Sequence, residues 1–184
     1  MRQNEISNLK ALDLAYIAMG AVMMAICSWI SIPTAIPVTL QTFAVFMVLQ
    51  LIGGKRGTFA ILVYILMAAV GVPVLAGFSG GLGAILGMTG GYIVGFIFTG
   101  LLYWIGEMLL GSKLPVRIVT MVLGLMGCYA FGTVWFMFVY GQQNSPIGWG
   151  TALGWCVIPF IIPDVVKLSV AVLLAGRLRK AINI

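Results

Sequence analysis

The chain has 184 residues, 62% of them hydrophobic and 8% charged. Soluble domains carry about a quarter charged residues, so an aqueous surface could not be covered with what is available here, and the chain reads as an integral membrane protein. Its formal charge of +6 does not mark a nucleic-acid binder, because the basic residues sit in small groups at segment ends.

The chain begins "MRQNEISNLK" and continues into a long apolar stretch without a small-residue cleavage site. That stretch is expected to be a retained helix rather than a removable signal peptide. A spanning helix takes about 20 apolar residues. The apolar runs predict an all-α bundle of six transmembrane helices in one membrane domain, residues 1–184, with spans near 11–30, 38–52, 57–71, 84–110, 115–140 and 157–176. The second and third are short for a full crossing.

Charge sets the expected topology. Arg2 and Lys10 precede the first span, Lys55 and Arg56 join the second and third, Lys113 and Arg117 join the fourth and fifth, and Arg177, Arg179 and Lys180 follow the sixth. The intervening connections, 31–37, 72–83 and 141–148, contain no Lys or Arg. The positive-inside rule then puts both termini in the cytoplasm.

Within the first span, Ala11, Ala15, Ala18, Ala21 and Ala25 form a small-residue face of the kind that packs against another helix, in the bundle or in a partner chain. The segment 31–43, "SIPTAIPVTLQTF", carries two prolines and then Thr39, Gln41 and Thr42 at the start of a short helix. It reads as a capped outer loop, or as one wall of a pocket to which Gln41 adds a donor and an acceptor. Glycines 83, 87, 91 and 95 recur every four residues, a stripe suited to close helix packing, and Tyr92 beside them could wall a pocket or simply pack. Cys27, Cys128 and Cys156 are unclustered, which fits buried small hydrophobes and neither a disulfide framework nor a metal motif.

The tenth basic residue, Lys167, stands three residues after Asp164, so on a helix the two share a face. Ionisable groups at membrane depth are costly and usually face the bundle interior or a wet cavity. Pro159 and Pro163 flank the approach, and the regular helix is expected to begin near Pro163, with Asp164 in its first turn where the helix dipole favours a carboxylate. From Pro163 to Arg177 the rise is roughly 21 Å in a hydrocarbon layer about 30 Å thick, which puts the pair in its outer third. The pair reads as a solute contact, a structural ion pair, or both. The chain has no histidine, few acids, and no intact phosphate-binding loop in "GGKRGT", so neither catalysis nor self-energised pumping is expected.

Four stretches, "IPVTLQTF", "YILMAAVGVPVLAGFSGG", "GMTGGYIVGF" and "PFIIPDVVKL", together resemble the BioY family, the biotin-binding S components of energy-coupling factor transporters. The resemblance implies a multi-pass protein of a prokaryotic cytoplasmic membrane that captures biotin from outside. It also implies a transmembrane coupling protein and two ATP-binding-cassette ATPases as partners, with biotin as ligand and no cofactor. Carried over by motif, the substrate-binding residues would be Asp164 and Lys167, Thr39 and Gln41, Tyr92, and Ser79 of the glycine-rich stretch. Lys167 could meet either the ureido oxygen or the carboxylate of biotin. The alanine face, through Ala18, Ala21 and Ala25, resembles the surface by which S components dock. Met88 and Pro163 depart from the family pattern, which typically has proline and glycine there. Alternatives are an S component for another vitamin, a small integral membrane enzyme, and a purely structural subunit.

Overall fold

The computed structural model describes residues 11–32 and 36–182, so Arg2, Glu5 and Lys10, and with them the reading of the N-terminus as a retained segment, lie outside the described residues. The chain folds into helices: α1 (Ala11–Trp29), α2 (Gln41–Ile52), α3 (Gly54–Ala69), a short α4 (Leu82–Ile85), α5 (Gly90–Leu110), α6 (Leu114–Gln143), α7 (Trp149–Cys156) and α8 (Ile158–Ile182). A two-residue antiparallel ribbon, β1 (Ser31–Ile32) on β2 (Val38–Thr39), joins α1 to α2 with Ser31 opposite Thr39.

Four stretches are long and apolar enough to cross a membrane: α1, α5, α6, and α7 with α8. Only 33% of α1's apolar window is buried and 22% of the window over α7 and α8, so most of their apolar side chains face outward and need lipid to cover them. α2 differs. Ala44 through Gln50 are buried without interruption, because α8, α1 and α3 surround this helix, and an all-round apolar helix belongs inside a bundle.

Local chemistry ties the ends together. α2 stops at Gly53, whose φ of +84° is open to glycine, and α3 starts at the next residue. A Cβ on Gly54 would lie 2.5 Å from the Trp104 backbone, and the Gly54 N–H donates to Glu107 Oε2 at 2.6 Å. Asp13 of α1 pairs with Arg56 of α3 at 2.5 Å, and Arg56 also covers the Tyr16 ring. The described basic residues other than Lys167 gather at this end of the bundle, opposite the cavity described below.

Three expectations are corrected. The helix carrying Asp164 begins at Ile158, not near Pro163, so Asp164 is a turn and a half inside it. Pro159 falls in its first turn, where no amide donor is needed, and Pro163 removes one internal helical bond without ending the helix. The dipole of a first turn therefore does not act on Asp164. The fourth predicted stretch is not continuous: α4 closes at Ile85 and α5 opens at Gly90, so Gly83 and Gly87 leave the stripe while Gly91 and Gly95 pack against Trp135 and Cys128 of α6. Finally, Ala21 and Ala25 are only 1% and 5% exposed, in the apolar core that α1 shares with α2 and α3. They are not available to a partner; Ala18 points outward.

Placing an indole at Ala21 overpacks that core, where even added methylenes cost about 1–3 kcal/mol. Ala21→Trp is expected to lower the thermal unfolding midpoint of the detergent-purified protein. Ala18→Trp is expected to leave it unchanged, and equal midpoints for the two variants would contradict the assigned face.

Candidate functional site

The bundle end that carries the N-terminus of α2 holds a half-open cavity of about 390 Å³, within the range of small-molecule sites. Its walls come from the β2–α2 junction, the 75–79 loop, the first turns of α5, the middle of α6, and α7 with α8. Ile93, Phe96, Leu125 and Phe160 supply apolar surface, and Cys128 and Cys156 also line it.

The charged pair forms one side. Asp164 is 2% exposed and Lys167 9%, one turn apart on α8. Lys167 Nζ donates to Asp164 Oδ1 at 2.8 Å and to Thr42 Oγ1 at 3.0 Å. Thr42 donates in turn to Asp164 Oδ1 at 2.8 Å, and the Tyr129 hydroxyl donates to Asp164 Oδ2 at 2.5 Å. The carboxylate thus receives three hydrogen bonds, from α2, α6 and α8. An ammonium has three N–H donors, and these bonds use two of Lys167's. The pair is neutral as a unit, with a spare donor and little free acceptor capacity.

The other polar walls are also held. Gln41, the first residue of α2, donates from Nε2 to the Tyr64 hydroxyl at 2.8 Å. Thr39 Oγ1 accepts the Gln41 N–H at 3.1 Å, so this hydroxyl also secures the helix start. Tyr92 bonds its hydroxyl to Thr133 Oγ1 at 3.0 Å and lays its ring on Gly132, where a Cβ would come within 2.3 Å of it. Ser79 donates to the Ala76 carbonyl at 2.8 Å, closing the turn at Ala76–Phe78. Phe78 of that turn stacks on Trp29, whose indole N–H reaches the Pro73 carbonyl at 2.9 Å.

All six substrate-site candidates, Asp164, Lys167, Gln41, Tyr92, Thr39 and Ser79, therefore line one cavity. Tyr129, Thr42, Phe96 and Phe160 line it too and were not among them. Thr42 follows Gln41 in the same short motif. Tyr129 has no local signal, since its partner lies 35 residues away.

A helical bundle with four stretches able to cross a membrane, a half-open cavity and a buried charged pair has the arrangement of a membrane protein that captures a solute. The BioY family model matches residues 1–184, and the chain belongs to the BioY family. It is 36% identical over 172 residues to a probable biotin transporter of Pyrococcus horikoshii, covering 93% of this chain and 98% of that one. It is 38% identical over 165 residues to a biotin transporter of Thermotoga maritima, covering 86% and 90%. The crystal structure of the S-component for biotin from an ECF-type ABC transporter superposes with a TM-score of 0.79 at 28% identity, covering 95% of this chain and 94% of that one.

Removing one member of a buried ion pair strands the other, at about 3–5 kcal/mol. Lys167→Met is therefore expected to lower the thermal unfolding midpoint more than the double variant Asp164→Asn, Lys167→Met. A double variant less stable than the single would count against mutual neutralisation.

Proposed function

We propose that this chain is the biotin-capturing S component of an energy-coupling factor transporter in a prokaryotic cytoplasmic membrane. The observation that carries the reading is the Asp164–Lys167 pair set into the wall of a cavity of about 390 Å³ in a member of this family. A neutral pair with a spare N–H, ringed by hydroxyls and an amide, suits a polar, uncharged ureido ring. The aromatic and aliphatic walls suit the fused bicycle and its tail.

Six crossing elements, α1, α2, α3, α5, α6 and α8, with both termini cytoplasmic, account for the basic residues gathered at the end opposite the cavity. The cavity then opens toward the outside. No part of the described chain forms a nucleotide site, and the energy comes from two ATP-binding-cassette ATPases through a transmembrane coupling protein. The outward face of α1, with Ala11, Ala15 and Ala18, is the docking surface in this reading.

Equilibrium binding of labelled biotin to the detergent-purified chain, with unlabelled biotin and thiamine as competitors, tests the assignment. Saturable binding displaced by biotin alone is expected. Folded, biotin-free protein that binds none would sink it, and displacement by thiamine would favour a different vitamin. Asp164→Asn is expected to weaken biotin binding by roughly tenfold to a hundredfold, as spoiling a buried charged hydrogen bond does.

A further inference from the structure

A glutamine amide presents a carbonyl oxygen on one side and an NH2 group on the other in nearly the same shape, so its surroundings decide which faces a ligand. At Gln41 that decision is made outside the cavity. Tyr64 of α3 is fully buried, at 0% exposure, and does not line the cavity. Its hydroxyl donates to the Val74 carbonyl at 3.1 Å. A carbonyl only accepts, and a phenol has one hydrogen, so toward Gln41 the Tyr64 oxygen can only accept. The group it receives is the amide nitrogen, at 2.8 Å. Ser28 of α1, also fully buried, shares its one hydroxyl hydrogen between the Ala25 carbonyl at 2.7 Å and the same Val74 carbonyl at 2.5 Å.

We propose that Tyr64 is a positioning residue that locks the Gln41 amide with its carbonyl oxygen toward the cavity, making position 41 an acceptor that selects a ligand N–H. Gln41 Oε1 receives no hydrogen bond from the described residues, yet it is not among the sealed, unpartnered polar atoms, so it is reachable from the cavity that Gln41 lines. The spare N–H of Lys167 belongs to the same cavity. The site thus offers one fixed acceptor and one fixed donor, which matches a ligand group carrying N–H and C=O side by side, as a cyclic urea does. The inference rests on the biotin reading above and adds to it the direction of one hydrogen bond and the residue that sets it.

The test is a ratio. Affinities for biotin and for both cyclic carbamate analogues, in which one ureido N–H is replaced by ring oxygen, are measured on the wild type, Tyr64→Phe and Gln41→Met. The replacement keeps the ring's size but sets an acceptor against an acceptor at position 41. Wild type is expected to disfavour one carbamate by roughly tenfold or more. In Tyr64→Phe the amide is free to turn, and that preference is expected to fall to about threefold or less. A purely structural Tyr64 would weaken all three ligands alike and leave the ratio intact, which overturns the proposal. Gln41→Met carries the same test if Tyr64→Phe does not fold: retained discrimination there removes position 41 as the acceptor. Wild-type protein that binds neither biotin nor carbamates would instead remove the biotin reading, a distinguishable failure.

Discussion

Two opposite charges withdrawn from water must find in the protein every hydrogen bond that water would have supplied, because the cost of leaving any unmade rises as the surroundings become less polar. The Asp164–Lys167 pair meets that demand, except for one Lys167 N–H left unpaired, by drawing three helices to one point. Thr42 brings the start of α2, Tyr129 the middle of α6, and α8 carries both charges. The packing of α8 on α2 follows from this convergence, with Ala171 and Ala175 continuing the contact toward the basic end. The cavity wall is therefore built by the same bonds that keep the pair paired, so under the proposed function recognition and architecture would share their atoms.

Around this point the polar side chains divide into those that can meet a ligand and those that hold them. Lys167 keeps a free donor and Gln41, as proposed, a free acceptor, while Tyr129 in the cavity wall and Tyr64 behind it hold Asp164 and Gln41 through their hydroxyls. Tyr92 is anchored through Thr133 and seated on a residue without a side chain. Under the proposed function, contacts held in advance by packed hydroxyl groups would lower the ordering cost of binding.

What could be read from the sequence followed its rarities. In a chain with 8% charged residues, Asp164 and Lys167 inside an apolar run could hardly be anything but buried partners. Gln41 and Thr39 stood out as polar residues at the start of a short helix after an uncharged loop, and the family motifs then added Ser79. Tyr129, one of six tyrosines, was illegible because nothing local distinguishes a phenol that bonds a carboxylate from one that fills a helix interface. The alanines of α1 show the same limit from another side. Spacing identifies a face that packs closely but not the neighbour it packs on, and for Ala21 and Ala25 the neighbours are α2 and α3. The proline reading failed because a helix can absorb Pro163 by giving up one bond, so a proline marks a boundary only where nothing else sustains the helix.

The brevity of α2 has a consequence of its own. Its 12 residues rise roughly 18 Å, well short of a hydrocarbon layer about 30 Å thick. Surrounded by other helices, α2 does not answer to membrane thickness, and because it begins only at Gln41 the cavity lies at its N-terminal end, under the 36–39 segment. Under the proposed function, the space for cargo lies where a second helix of full membrane length would have continued.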